Sequence, residues 1–287
     1  MKKMIAMLLA LVMALSLMAC GNTNANNGGN DNANNGDEAQ PEAKTTLVVG
    51  VSADYAPFEF MYPDPDPNKK GEMVYGGIDI SVAQYVADEM GLTMQVENMS
   101  FDNLLASLDK GDFDIVLSAM EATPERLENA DFSDPYYTDV PPAILVKADK
   151  ADQYKTLADF SGKYVGAQTA TTKLDMVNDM EGVTPVPLSS VLDLVNELVY
   201  DKVDAILVDG GVAQQYADAN PDLVIAEASS ELGEAAPYCI AVAKGDPKGL
   251  LDDINAAIAK MTAENKIETF LADADSLADV AVEVSAD

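Results

Sequence analysis

Strand-like and helix-like patterns alternate along most of this chain, and the alternation limits the possible folds more than any other feature. The β-branched, apolar run at residues 46–52 predicts a buried strand. Residues 79–90 carry an apolar face at helical spacing that ends at Gly91. The same rhythm resumes over residues 164–208. This pattern is typical of α/β domains, so we predict two α/β units with largely parallel sheets.

The other predicted elements complete the two units. Strands are predicted at residues 92–96, 114–120, 164–168 and 203–208, and helices at 102–110, 172–180, 189–200, 211–219, 247–264 and 266–272. A weak internal repeat supports this division, because residues 104–117 resemble residues 194–207. The repeat places Ala119 and Asp209 at equivalent positions, just beyond the carboxyl end of a central strand. Ligands of open α/β sheets bind at such positions.

Two extended runs, at residues 141–146 and 238–243, connect the predicted units. If both runs cross between the units, residues 45–142 and 239–287 form lobe 1, and residues 143–238 form lobe 2. Two crossings would act as a hinge.

The first 44 residues have the composition of an export signal followed by a tether. Lys2 and Lys3 precede a short apolar run that ends at Leu17-Met18-Ala19-Cys20. The ending resembles a lipobox, so residues 1–20 are predicted to be a lipoprotein signal peptide, with the lipid attached to Cys20. An ordinary signal peptide with a chance cysteine is the alternative. Residues 21–44 are rich in Asn and Gly and are predicted to form a disordered tether.

Composition excludes several function classes. The chain has 49 acidic and 17 basic side chains, which argues against binding to nucleic acid. It has no histidine, so histidine-based triads and general bases are excluded, as are the usual zinc and iron sites. Apart from Cys20, Cys239 is the sole cysteine, so the folded part cannot form an intramolecular disulfide. We expect no metal and no cofactor.

Arg126 stands out in such an acidic chain because it follows a predicted buried strand, within Thr123-Pro124-Glu125-Arg126. A guanidinium can hold a carboxylate through two parallel hydrogen bonds, so Arg126 is a candidate anion clamp. A surface arginine paired with Glu125 or Glu128 is an equally plausible interpretation of this stretch alone.

Four motifs, in this order and spacing, resemble the polar amino-acid solute-binding proteins that serve ATP-driven importers. They are Tyr55-Ala56-Pro57-Phe58-Glu59, Gly77-Ile78-Asp79-Ile80, Thr123-Pro124-Glu125-Arg126 and Asp131-Phe132-Ser133-Asp134-Pro135-Tyr136-Tyr137. The resemblance covers residues 45–271. It implies the two-lobed, type II periplasmic-binding-protein clamp, which closes on an amino acid by hinge bending.

The resemblance also implies roles for individual residues. Arg126 would bind the α-carboxylate of the ligand, together with the helix start at Thr171 and Thr172. Asp209 and the carbonyl of Ala119 would receive the α-ammonium. Two aromatic side chains, Tyr55 and Phe101, would enclose the ligand side chain, and Gln168 would contact it.

Several of these residues have a structural alternative. Tyr55 and Phe101 are also compatible with a place in the core, and Asp209, Thr171 and Thr172 with helix capping. Glu121 departs from the family pattern, which has Ser or Thr at this position. Its carboxylate must point away, pair with Arg126 or contact a cationic group of the ligand.

The function expected from the resemblance is extracytoplasmic binding of an amino acid by a non-enzyme that delivers it to an ABC permease. The protein is expected to be a monomer, anchored by lipid to the outer face of the cell membrane. Two rivals remain open. One is a secreted dehydratase acting on cyclic amino-acid precursors, with Glu121 or Glu59 as general acid. The other is a solute-sensing module that presents the ligand to a receptor.

Overall fold

A computed structural model of the chain describes residues 45–285, with side chains through residue 278. The predicted signal peptide, the Cys20 lipid site and the predicted tether lie outside this range. The described residues belong to one compact unit of the chain. No helix within this unit is both long and apolar enough to cross a membrane.

Two five-stranded sheets form the centres of two lobes. The strands are β1 (Thr46–Val51), β2 (Asp54–Tyr55), β3 (Glu59–Pro63), β4 (Met73–Gly76), β5 (Thr93–Asn98), β6 (Ile115–Val116), β7 (Ala130–Phe132), β8 (Tyr137–Thr138), β9 (Ala143–Lys147), β10 (Tyr164–Gln168), β11 (Thr184–Leu188), β12 (Ala205–Val208), β13 (Leu223–Ile225), β14 (Pro237–Tyr238) and β15 (Ala241–Ala243). The first sheet has the order β5-β1-β6-β15-β7, and the second has β11-β10-β12-β9-β13.

The two sheets have the same topology. In each one, four strands run in one direction and one strand is reversed. The reversed strands are β15 in the first sheet and β9 in the second. Each follows a connection from the other lobe. Between the two sheets, β8 pairs antiparallel with β14, so the two connections run side by side as a hinge would.

Helices cover both faces of the sheets. They are α1 (Ile78–Glu89), α2 (Leu104–Lys110), α3 (Arg126–Asn129), α4 (Thr172–Asp179), α5 (Val191–Val199), α6 (Gly210–Ala219), α7 (Leu251–Ala263) and α8 (Lys266–Ser285). Short 3-10 helices lie at Pro67–Lys69, Phe101–Asn103, Ala148–Gln153, Leu157–Phe160 and Glu227–Glu231. Successive residues of a strand pack into cores on opposite sides of the sheet, because strand side chains alternate between faces.

Three of the predicted elements differ from the structure by more than two residues at one end. The strand predicted at residues 114–120 pairs only over β6, because Ala119 adopts a left-handed conformation (φ 44°) and turns the chain out of the sheet. Helix α7 begins four residues later than predicted, since Asp246 and Gly249 have positive φ values, which a helix excludes. Helix α8 continues to Ser285, well beyond the predicted end at residue 272.

Candidate functional site

The residues singled out in the sequence converge between the two lobes. The first lobe contributes Tyr55, Phe101, Ala119, Glu121 and Arg126, and the second contributes Gln168, Thr171, Thr172 and Asp209. All except Arg126 and Thr172 line one small cavity of about 10 Å³. Arg126 and Thr172 instead line an adjoining open recess of about 760 Å³, which Phe101 also borders. The predicted site is therefore one continuous region with Arg126 at its edge.

The Arg126 side chain reaches from the first lobe to the second. One guanidinium nitrogen donates to the backbone carbonyl of Glu121 at 2.9 Å and to its carboxylate at 3.0 Å. The other donates to the carbonyl of Ala170 at 3.0 Å. The guanidinium also lies 5.2 Å from the ring centroid of Phe101. Arg126 pairs with neither Glu125 nor Glu128 among the described ion pairs, so the simple surface interpretation is wrong.

Asp209 follows β12 and connects the lobes through Tyr55. The Tyr55 hydroxyl donates to Oδ2 of Asp209 at 2.6 Å and accepts from the Asp209 backbone N–H at 3.1 Å. Asp209 occupies the N-cap position of α6, but its side chain makes no capping hydrogen bond. Asp209 is 4% exposed and borders the cavity, so its carboxylate needs a cationic partner.

The helix start predicted to bind an anion is shaped by two threonines with different roles. Thr171 is the N-cap of α4, and its hydroxyl accepts from the N–H of Leu174 at 3.2 Å. Thr172 does not cap the helix, because its hydroxyl donates across the lobes to Glu121 at 2.9 Å. The nearby Gln168 side chain donates to the carbonyl of Ser189 at 3.0 Å.

Lys173 is a central site residue that the sequence analysis did not identify. Its ammonium lies 2.6 Å from Oε1 of Glu121 and 2.5 Å from Oδ1 of Asp209, and the residue is 5% exposed. Burial acts to lower the pKa of Lys173, but the carboxylates of Asp209 and Glu121 outweigh burial and raise that pKa. A lysine in the first turn opposes the helix dipole, so it needs nearby anions. This unfavourable position in the helix was the sequence signal by which Lys173 could have been identified.

Glu121 pairs with both cations of the site, Arg126 and Lys173. Of the three arrangements predicted for its carboxylate, the structure therefore shows the pairing with Arg126. Burial acts to raise the pKa of Glu121, but Lys173 and Arg126 reverse this and lower it below its usual value. Glu121 and Lys173 are therefore both charged at neutral pH. Because Glu121 belongs to the first lobe and Lys173 and Thr172 to the second, its carboxylate links the lobes.

A buried pair of carboxyl groups lies beneath the cavity. Glu59 is 1% exposed and Asp79 is fully buried. Burial first, and then the charge of Asp79, raise the pKa of Glu59 well above its usual value, and burial raises the pKa of Asp79 to about 6. Asp79 accepts from the N–H of Ala119 and from the Tyr136 hydroxyl, both at 2.7 Å, which favours its charged form. The shared proton therefore resides on Glu59, whose Oε2 has no protein donor within hydrogen-bond distance.

The chemistry of this arrangement suits a zwitterion. Arg126 and Asp209 end a chain of four charges that runs through Glu121 and Lys173, with the Phe101 ring beside Arg126 and the Tyr55 hydroxyl on Asp209. Burying both charges of a ligand is tolerable only when each has a partner. Within residues 45–285, no group of three or more Cys, Asp or Glu side chains is arranged to hold a metal ion.

Comparisons with known proteins agree on one family. Residues 47–273 match the family described as bacterial extracellular solute-binding proteins, family 3. The chain is 32% identical over 274 residues to the arginine-binding extracellular protein ArtP of Bacillus subtilis (strain 168), covering 93% of this chain and 96% of ArtP. It is 29% identical over 276 residues to a probable histidine-binding protein of Campylobacter jejuni, covering 94% and 98%.

Solved structures show the same architecture. The amino-acid ABC transporter substrate-binding protein AbpA of Streptococcus pneumoniae, bound to L-arginine, superposes with a TM-score of 0.75 and 31% identity. The match covers 82% of this chain and 96% of AbpA. The likeness confirms the predicted two-lobed clamp.

Proposed function

The chain belongs to the bacterial extracellular solute-binding proteins of family 3, and from this membership we propose that its cleft binds a cationic α-amino acid, with L-arginine the first candidate. The protein acts outside the cytoplasm as an amino-acid-binding component of an ABC importer. The observation that carries the ligand proposal is that a cation, Arg126, and an anion, Asp209, end one chain of buried charges between the lobes, beside the aromatic residues Phe101 and Tyr55. Arg126 would hold the α-carboxylate and Asp209 the α-ammonium.

The cationic side chain is supported by the acidic lining of the cavity. Glu59, Glu121 and Asp209 all border it, and Lys173 is the sole basic residue among its lining side chains in the described range. Glu59 is the residue we assign to the distal cation of the ligand, because Asp209 and Glu121 already have charged partners. A guanidinium that approaches Glu59 would favour loss of the proton that Glu59 shares with Asp79. ArtP and AbpA, the relatives named with arginine, point the same way.

Calorimetric titration with arginine and citrulline tests this assignment. Citrulline has nearly the shape of arginine but an uncharged side chain. We expect arginine to bind one-to-one with a micromolar or lower dissociation constant. Citrulline should bind at least about tenfold more weakly. Equal affinities would refute the cationic side chain while leaving the amino-acid class intact. Failure of a folded protein to bind any of the individual amino acids would refute the class itself.

Membrane attachment through a lipid on Cys20 is the second part of the proposal. It rests on the Leu17-Met18-Ala19-Cys20 ending of the predicted signal peptide. Labelled fatty acid should enter the wild-type protein in cells but not a Cys20→Ala variant, which should appear in the medium or the periplasm. Equal labelling of both proteins would contradict it.

The remaining expectations are a monomer and a protein without catalytic activity. The relatives named above are binding proteins and give no support to the dehydratase alternative. Conversion of prephenate or arogenate by the purified protein would overturn the non-enzymatic assignment.

A further inference from the structure

We propose that Glu121 and Lys173 form a built-in substitute for the two charges of an amino acid, which holds the cleft closed and must be displaced before ligand binds. The proposal rests on the proposed function, because it assumes that Arg126 and Asp209 receive the ligand.

The contacts reproduce those that an amino-acid zwitterion would make. Arg126, assigned to the ligand carboxylate, holds the carboxylate of Glu121 at 3.0 Å. Asp209, assigned to the ligand ammonium, holds the ammonium of Lys173 at 2.5 Å. Glu121 and Lys173 are themselves joined at 2.6 Å, so together they present one carboxylate and one ammonium, as an amino acid does. The four side chains are nearly buried, with exposures of 10% or less.

Space around the four charges leads to the same conclusion. The cavity that Glu121, Lys173 and Asp209 border has a volume of about 10 Å³, which is about enough for one water molecule. An amino acid cannot enter beside Lys173, so the ligand must separate Lys173 from Asp209 and Glu121 from Arg126. The exchange keeps every charge paired, because Glu121 and Lys173 remain partners while the zwitterion takes Arg126 and Asp209.

The Glu121–Lys173 pair also connects the two lobes. The Glu121 carboxylate, on the first lobe, binds Thr172 and Lys173 on the second. A closed form held by these contacts competes with ligand, and apparent affinity falls with the fraction of protein that is competent to bind. The pair therefore sets how tightly the importer component holds its amino acid.

The double variant Glu121→Gln/Lys173→Met tests the proposal without leaving a lone charge in the ligand-bound cleft, where the amino acid pairs with Arg126 and Asp209. It removes two contacts that exist only in the ligand-free form, Glu121–Arg126 and Lys173–Asp209, and one contact shared with the bound form. The shared contact cancels, so the competing state loses two charge-assisted contacts, and arginine binding should tighten by at least about tenfold. Each single variant should tighten binding less than the double variant, since it removes only one competing contact and leaves an unpaired charge in the ligand-bound cleft.

Small-angle scattering of the ligand-free proteins supplies a second measurement that does not depend on ligand identity. The double variant should have a larger radius of gyration than wild type, and saturating arginine should remove the difference. Unchanged or weaker affinity together with unchanged scattering would overturn the proposal. If wild type binds no amino acid, the proposed function fails, yet the ligand-free scattering still decides whether the pair closes the cleft.

The matched control is Glu89→Gln/Lys260→Met, which removes another Glu–Lys pair, at 2.7 Å on the surface of the first lobe. It should change neither affinity nor scattering. Thermal unfolding shows whether the test variant is folded. If it is not, Glu121→Gln/Lys173→Gln, which keeps two hydrogen-bonding side chains, replaces it with the same expected results.

Discussion

Replacement of Arg126 by alanine removes the group that we assign to the ligand carboxylate. In the bound form this guanidinium would donate two hydrogen bonds to a carboxylate. Charge-assisted hydrogen bonds contribute about 1.5–3 kcal/mol each, and the ligand-free protein also loses one such bond, to the Glu121 carboxylate, so the difference should weaken binding by about 10- to 10²-fold. The ligand carboxylate would also be left in the cleft without its cation.

The same replacement should barely affect the fold. Without Arg126, Glu121 keeps its contacts with Lys173 and Thr172, so no buried charge loses all of its partners. The contacts that disappear are those with Glu121, Ala170 and the Phe101 ring, at the edge of an open recess. We expect a loss of about 1 kcal/mol and a fall in Tm of about 2–4 °C.

Titration calorimetry and thermal unfolding of the Arg126→Ala protein measure both quantities. Arg126→Lys is the control, because it keeps the charge but not the two-pronged geometry, and its affinity should fall between those of the other two proteins. A loss of affinity below tenfold, with a folded Arg126→Ala protein, would refute the assignment of Arg126 to the ligand carboxylate.

Three further predictions follow from the site and the core. Asp209→Asn should weaken amino-acid binding by about 10- to 100-fold, since an ionic contact becomes a neutral one; unchanged affinity in a titration would exclude Asp209 from the site. Glu59→Gln should gain stability relative to wild type by about 1.4 kcal/mol per pH unit from pH 5 upward, until the raised pKa of Glu59 is reached. The gain arises because only wild type must keep a carboxyl protonated in the fold; parallel unfolding curves would contradict the shared proton. Ala278→Asp should cost about 2 kcal/mol or more, because Ala278 is fully buried against Phe60, while arginine affinity stays unchanged; equal Tm values would refute this packing of α8.

The architecture could be predicted from the sequence, because the two lobes share one alternating pattern of strands and helices. The internal repeat of residues 104–117 and 194–207 corresponds to α2 with β6 and α5 with β12, and both strands hold the third position of their sheets. Ala119 and Asp209 accordingly follow equivalent strands. Local periodicity and a shared topology are properties of consecutive residues, so the sequence carries them directly.

The centre of the site could not be predicted from the sequence, because it depends on contacts between residues that are far apart in the chain. Glu121 and Lys173 are 52 positions apart, and nothing local indicates that they meet. The motifs instead marked Glu121 as a departure from the family pattern and passed over Lys173. The sequence therefore indicated residues that converge between the lobes but missed Lys173, the cation with which Glu121 and Asp209 pair.

The predicted boundaries of two helices are wrong, because backbone conformation and burial outweigh local composition there. The sequence predicted that the helix α7 begins at residue 247. Gly249, however, has a φ of 64°, so the helix begins only at Leu251. The opposite error occurred in α8, whose later residues pack Ala274 and Ala278 into the first lobe. Tertiary burial extends this helix, and such burial cannot be seen in a window of neighbouring residues.

A crystal structure of the protein with the amino acid that binds most tightly in the titrations would test the central claim most directly. We predict an α-carboxylate within hydrogen-bond distance of the Arg126 guanidinium and an α-ammonium on Asp209. Tyr55 and Phe101 should lie on either side of the ligand side chain. A ligand bound elsewhere, or one whose carboxylate makes no contact with Arg126, would contradict the account.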